Sequence, residues 1–467
     1  MLKKPYIYVV WSLALYFGWI LAFPYFGLVM GPAALEAHIG GRSLVYVFLS
    51  FHALGYLGGA LFLKKTYSWK YLIWGSLLGT AAINLMTWLS PAALWGPGFA
   101  LLGFISSFYV LGWSRLFSIY SPAEKVYILV HMVVRANLIA VAIFMFSTLF
   151  AGAALIAAAL APLAASGWLF VTRQAKFELE APWPEKVERS FPGLLVLILC
   201  LFIFAFKLSA GFTYSVIHFS YPAMEDYHLI SAYYEYFPYL LTLILLLRFY
   251  GRWQRHFLAF AGVSLLGLAF IAFALLEESL VAFLLTVSLL EPAFALLNVF
   301  TWSLLGDLSS RYGFPYRFFG FGLFAVIFGT FSGGMIGDHL VLYGELPRYF
   351  TALYAAAAIF LTLIIIPWLR ERTEHESTGL ALTGDLTLPL SEGSALEQLI
   401  AGAALTGREK DIVKLIMQGL SNKLIAERLF ISENTLKTHL RKIYAKFGVH
   451  KKSELLARFI EKKAPLP

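Results

Sequence analysis

Residues 405–460 read LTGREKDIVKLIMQGLSNKLIAERLFISENTLKTHLRKIYAKFGVHKKSELLARFI. Charged and apolar residues recur there with the period of a soluble amphipathic helix, whereas the chain before it reads as membrane. Thr406 with Glu409 three residues later is a capping box, and Ile412, Leu415 and Ile416 follow on one face. Gly419 ends that helix, and Ser421 caps a second whose buried positions are Ile425 and Leu429. Phe430 and Ile431 fill the turn. Ser432 caps a third helix with Leu436, Leu440, Ile443 and Tyr444 inward; Gly448 stops it, and a fourth is predicted near Lys451 to Glu461. This is a helix-turn-helix with a trailing helix.

Lys437 and Arg441 are four apart and lie away from the Leu436, Leu440 and Ile443 face. One exposed face therefore carries two long donors suited to guanine. From Ile400 onward 14 Lys and Arg stand against 6 Asp and Glu, so the tail holds +8 of the net +9. That asymmetry points to a polyanionic partner for the tail alone.

Three blocks carry a resemblance: Leu405-Thr406-x-Arg408-Glu409; Gly419-Leu420-Ser421-Asn422-Lys423-x-Ile425-Ala426; and Ile431-Ser432-x-x-Thr435-Leu436-Lys437-x-His439-Leu440, continued by Ile443 and Lys446-Phe447-Gly448-Val449. Together they resemble the LuxR-type helix-turn-helix of bacterial transcription regulators. The resemblance implies double-stranded DNA as partner, with Lys437, Thr438 and Arg441 at base edges and Asn422, Lys423, Thr435 and Lys446 at phosphates. It also implies a homodimer through the fourth helix. His439 is read as a packed or phosphate-facing histidine rather than a titrating sensor.

Upstream, residues 373–404 hold Gly379, Gly384, Pro389, Ser391, Gly393 and Ser394 with no strong period and read as a flexible linker. The expected domains are a membrane domain at 1–372, the linker at 373–404 and the DNA-binding domain at 405–467. For the first of these, 60% hydrophobic and 13% charged residues place the chain in a bilayer, and a 17% aromatic share matches interfacial belts, with Trp69, Trp95, Trp168, Trp253 and Trp368 near the ends of apolar runs. The single cysteine, Cys200, excludes an intrachain disulfide and gives no metal cluster.

Twelve apolar segments are long enough to span, at 6–30, 43–63, 71–90, 98–120, 126–147, 149–172, 191–217, 227–250, 257–276, 280–305, 315–343 and 346–369. Lys3 and Lys4 before the first could mimic a secretory signal, but no small-residue cleavage site ends it. With the N-terminus inside, 18 Lys and Arg fall on cytoplasmic loops and only Arg42 and Arg348 on the other side. The expected place is the inner membrane, with both the N-terminus and the C-terminal domain in the cytoplasm.

The charged loop Arg173–Ser190 divides the spans six and six, an architecture that resembles the major facilitator superfamily. Between spans two and three that family carries a glycine, an Asp-Arg pair and further basic residues; here the chain reads Gly58-Gly59-Ala60-Leu61-Phe62-Leu63-Lys64-Lys65, without an acid. The fold class expected is therefore all-α: a polytopic twelve-helix membrane bundle (6+6) with a C-terminal four-helix helix-turn-helix domain. Gly329, Gly333 and Gly337 in span eleven form one face for close helix packing, and Pro24, Pro238 and Pro292 mark bends.

Charges deep in a span are costly and often functional. Arg135, Lys207, Glu235 and Glu291 lie near midplane, with His52 and His131 as further polar candidates. Two readings stand side by side: internal ion pairs that hold the halves together, and Arg135 or Lys207 anchoring an anionic or zwitterionic small molecule, with Tyr214, Tyr233, Tyr234 and Asn298 as walls. No nucleotide-binding loop, kinase block, metal cluster or nucleophile motif is present, so neither enzyme activity nor a cofactor is expected. The function expected is a membrane-integrated one-component transcription regulator whose bundle senses a small molecule; the alternative is a secondary active transporter with an attached regulatory domain.

Overall fold

The structure is a computed structural model and describes residues 4–25, 38–39, 42–64, 67–150, 153–179, 190–219, 234–249, 255–276, 279–343, 356, 359–360, 362–367, 405–417, 425–426, 428–429, 431–449 and 455. Two compact units divide the chain, Met1–Leu369 and Arg370–Pro467.

In the first unit eleven helices follow one another among the described residues: α1 (Lys4–Ile20, running into a π-turn at Leu21–Tyr25), α2 (Leu44–Phe62), α3 (Trp69–Leu89), α4 (Trp95–Ser118), α5 (Pro122–Leu149), α6 (Ala153–Leu179), α7 (Gly193–Phe219), α8 (Tyr236–Phe249), α9 (Arg255–Leu275), α10 (Leu280–Tyr312) and α11 (Pro315–Tyr343). Each coincides with one expected span. Of the twelfth, the described residues 356, 359–360 and 362–367 are helical. Eight of the helices (α2 to α5, α7 and α9 to α11) are by themselves long and apolar enough to cross a membrane. Among the described residues the departure from helix is a two-residue antiparallel ribbon, His38–Ile39 against Arg42–Ser43.

Large apolar side chains such as Leu78, Leu101, Leu138, Leu197, Ile244 and Ile271 are exposed on the outside of this bundle. So extensive an apolar surface is stable only against lipid. Inside, many buried polar groups find partners within the protein, as a bilayer favours, while among the described residues Trp19 Nε1, Asn84 Nδ2, Trp113 Nε1 and Thr301 Oγ1 are buried without a hydrogen bond. Tyr16 of α1 stacks on Tyr109 of α4 with ring centroids 3.7 Å apart. The Tyr16 hydroxyl donates to the Ser106 carbonyl at 3.1 Å, and the Tyr109 hydroxyl donates to the Ser12 carbonyl at 2.9 Å and meets Ser166 Oγ at 2.8 Å. These contacts bind α1, α4 and α6 into one half.

The second half closes along α7 and α11. A Cβ on Gly329 would lie 2.8 Å from Lys207 Cβ, one on Gly333 would collide with the Leu208 carbonyl, and one on Gly211 with the Thr330 carbonyl. Small residues thus let the two backbones touch, as expected of the Gly329 and Gly333 face.

The halves meet where α2 packs on α11 and α5 on α10. Trp302 of α10 is nested between Phe17 (5.6 Å), Trp113 (6.4 Å) and Phe319 (5.7 Å), so aromatic rings from both halves share one cluster. The Tyr46 hydroxyl of α2 donates to Asp338 Oδ2 of α11, and the Tyr316 hydroxyl of α11 to the Tyr67 carbonyl at 2.9 Å.

In the second unit α12 (Gly407–Met417) and α13 (Glu433–Phe447) enclose a core of Leu405, Ile412, Val413, Ile416, Ile425, Ala426, Leu436, Leu440, Ile443 and Val449. Leu455, in the segment expected to form the fourth helix, is helical and buried in the same core.

Candidate nucleic-acid interface and intramembrane charges

The helix expected to carry the base contacts, α13, is built from its caps inward. Ser432 is extended (φ −69°, ψ 153°), and its Oγ accepts from Thr435 N at 3.1 Å, which satisfies a free amide in the first turn. Gly448 closes α13 in the left-handed region at φ 61°, a conformation glycine enters without steric cost. Between these caps Leu436, Leu440 and Ile443 are buried, while Thr435, Lys437, Thr438 and Arg441 are exposed. Thr438 Oγ1 donates back to the Asn434 carbonyl at 3.1 Å, and His439 is half-buried. Asn422 and Lys423, expected at phosphates, lie outside the described residues.

At the base of this domain the Thr406 amide donates to Glu409 Oε2 at 2.8 Å, and the Glu409 amide to Thr406 Oγ1 at 3.3 Å. The capping box is therefore complete. The same Glu409 Oε2 accepts from Lys446 Nζ at 2.6 Å, with the glutamate side chain 3% and the lysine side chain 33% exposed. Lys446, expected to meet DNA phosphate, thus also ties the end of α13 to the start of α12. The Lys446 ammonium and then the Thr406 amide hold the Glu409 carboxyl at about 2, below the usual carboxylate range. Sequence reading missed this pair because its members are 37 residues apart.

In the membrane unit the expected intramembrane groups separate by half. Arg135 Nη1 donates to the His131 carbonyl at 2.9 Å and lies 3.1 Å from His131 Nδ1; its guanidinium sits over the Trp11 ring at 5.1 Å. All three residues belong to the first half. Lys207, Glu235 and Glu291 belong to the second, where Glu291 interacts electrostatically with both of the others. Beside them Asn298 Nδ2 donates to the Tyr239 hydroxyl at 3.2 Å, and the Tyr234 hydroxyl meets Ser288 Oγ at 2.7 Å. Tyr233 and the Tyr214 side chain lie outside the description. His52 is packed between Phe48 and Tyr56, with Nδ1 2.8 Å from the Gly103 carbonyl, and serves the core.

These four charges therefore do not pair across the halves, as one reading had it. That task falls to Lys125 of α5, whose Nζ reaches Asp307 Oδ1 of α10 at 3.0 Å and donates to Ser310 Oγ at 2.6 Å. Ser310 Oγ in turn donates to the Ser118 carbonyl of α4. Lys125 is one of the 18 basic residues that the sequence places on the cytoplasmic side, yet its side chain is 1% exposed. Counting basic residues by side of the membrane does not separate a solvated lysine from a paired one. Asp307 and Asp338 were also missed, although an acid in or beside an apolar run is itself a signal.

An apolar bundle of membrane-crossing helices joined in one polypeptide to a capped helix-turn-helix defines a membrane protein with a DNA-binding module. Residues 403–459 match the bacterial regulatory proteins of the luxR family, so the C-terminal domain is of the LuxR type. Over this region the chain is 52% identical to the monoamine regulon transcriptional regulator of Klebsiella aerogenes across 56 residues, which is 12% of this chain and 25% of that one. It is 50% identical to the nitrate/nitrite response regulator NarL of Escherichia coli across 50 residues, 11% of this chain and 23% of that one. An HTH-type transcriptional regulator of Mycobacterium tuberculosis is 44% identical over 62 residues, 13% of this chain and 7% of its own length. The similarity to these regulators is confined to the DNA-binding module.

The membrane unit has the major facilitator fold. The human organic anion transporter MFSD10 is similar in structure with a TM-score of 0.57 at 16% identity, covering 78% of this chain and 100% of that one. The transporter FucP, in its outward conformation, gives 0.55 at 12% identity, covering 79% and 99%.

Proposed function

We propose that this protein is a membrane-integrated one-component transcription regulator, in which the bundle senses a small molecule and the C-terminal domain reads promoter DNA. The observation that carries the reading is the exposed Lys437, Thr438 and Arg441 face on a doubly capped helix, within the same chain as a bundle holding intramembrane charges. Lys437 and Arg441 contact base edges and Thr438 assists; Asn422, Lys423, Thr435 and Lys446 meet phosphates, and a homodimer places two recognition helices on paired half-sites. The bundle lies in the inner membrane with both ends cytoplasmic, in keeping with 18 basic residues on one side against 2 on the other. Residues 1–372, 373–404 and 405–467 serve as sensor, linker and reader. No catalytic step is assigned. A ligand acts by binding two conformations of the bundle unequally.

Replacing Lys437 and Arg441 together with glutamate is expected to abolish promoter occupancy, read by chromatin immunoprecipitation, while the protein still fractionates with the membrane. Retained occupancy in the double variant would remove the assignment.

A second reading, a secondary active transporter carrying a regulator, is favoured by the transporter fold together with Lys207 and Glu291 in the second half. Uptake into vesicles separates the two: saturable, gradient-driven accumulation of substrate supports the transporter.

A further inference from the structure

Lys207 of α7 and Glu291 of α10 are the two ends of an ion pair that does not close. Each sits in the middle third of its helix, Glu291 is 5% exposed, and each feels the other's charge. Yet among the described residues neither makes an ion-pair contact or a side-chain hydrogen bond; Lys207 Nζ has only the Phe206 ring, 5.4 Å away. A buried opposite pair ordinarily draws together, because contact is what offsets the desolvation of both charges.

The backbone fixes where each of the two side chains starts. Gly329 presses α11 against the root of the Lys207 side chain, so the lysine leaves α7 at a fixed seam. Glu291 is held immediately before Pro292, which lacks the amide that would bond the Ser288 carbonyl. Ser288 is itself fixed by the Tyr234 hydroxyl at 2.7 Å. Tyr239, within reach of the Glu291 charge, is held by Asn298.

We infer that the gap between Lys207 and Glu291 is a binding site for a small zwitterion, with its carboxylate toward Lys207 Nζ and its ammonium toward Glu291. Glu235, which interacts electrostatically with Glu291, deepens the negative potential at the ammonium end. A lone anion would leave Glu291 uncompensated in the bilayer, and a lone cation would do the same to Lys207; a zwitterion answers both ends and adds no net charge. This narrows the ligand class of the sensing reading and, for its physiological meaning, rests on that reading.

The test uses the full chain in detergent, with the twenty common amino acids as probes, each beside its decarboxylated amine and its deaminated acid, and with affinity read from the ligand dependence of thermal unfolding. At least one amino acid is expected to bind, with its amine and its acid about tenfold or more weaker, as loss of a charged hydrogen bond implies. Lys207→Met and Glu291→Gln should each weaken the amino acid by a similar factor. Lys207→Arg, which keeps the charge, should retain most of the affinity and guards against misreading a folding defect. The assignment fails if no amino acid binds, if amine or acid binds as well as the zwitterion, or if Arg135→Gln rather than Lys207→Met removes carboxylate recognition. Binding without any change in transcription would instead remove the sensing reading and leave this site standing.

Discussion

Glu409 serves two partners with one carboxylate: it accepts from the Thr406 amide, which completes the cap of α12, and from Lys446 Nζ at 2.6 Å. Because its folded value of about 2 lies below the ordinary 4.5, its contribution to stability is full above about pH 4.5 and is lost as pH falls toward 2. Glu409→Gln is therefore expected to flatten the pH dependence of the C-terminal domain in that window. At neutral pH it should lower stability by about 1.5–3 kcal/mol, the worth of a charged hydrogen bond. Hydrogen exchange at the Ile412 and Ile443 amides in the full chain reads both effects. The cap itself was legible in the sequence, since Thr and Glu three apart are a local pattern. The ion pair was not, because tertiary contact alone decides which lysine arrives.

Among the elements, the spans were legible from hydropathy, and their ends were not. α5 starts at Pro122 rather than 126, because Ser121 and Glu124 form a polar capping box that lies outside any apolar window. α10 runs to Tyr312, past the expected 305, since helix does not end where hydropathy falls; the Ser303, Ser309 and Ser310 hydroxyls bond back to carbonyls of their own helix and so stay satisfied there. That extra length carries Asp307 to Lys125. The α7 and α11 seam tolerates no side chain at Gly333, so Gly333→Val should cost about 1–3 kcal/mol through overpacking and lower the unfolding midpoint of the detergent-solubilised protein. Ser432→Ala removes the cap of α13 and should destabilise the reader by about 1 kcal/mol, seen as faster amide exchange in its first turn.

At the scale of the whole molecule, Lys125 and Asp307 join the halves of the bundle. Lys125→Met removes the ion pair that fastens the halves, an expected loss of up to about 3–5 kcal/mol in thermal unfolding, whereas pairing it with Asp307→Leu should restore most of the stability. Promoter affinity, for its part, should fall steeply and log-linearly with salt, with a slope that shrinks by about one for each phosphate-contacting lysine removed. The plan of two halves in a major facilitator fold could be read from the apolar runs and one charged loop. How the halves are fastened could not, because helix-to-helix register leaves no trace in composition. Bundle and reader also form two compact units of a single polypeptide. A freely diffusing regulator visits the whole nucleoid; on the proposed function this one is confined to a shell beside the lipid, and its target must come to it. On that function occupancy follows the position and motion of the chromosome as much as copy number, and a locus drawn to the cell's centre would go unread however tightly its sequence is bound.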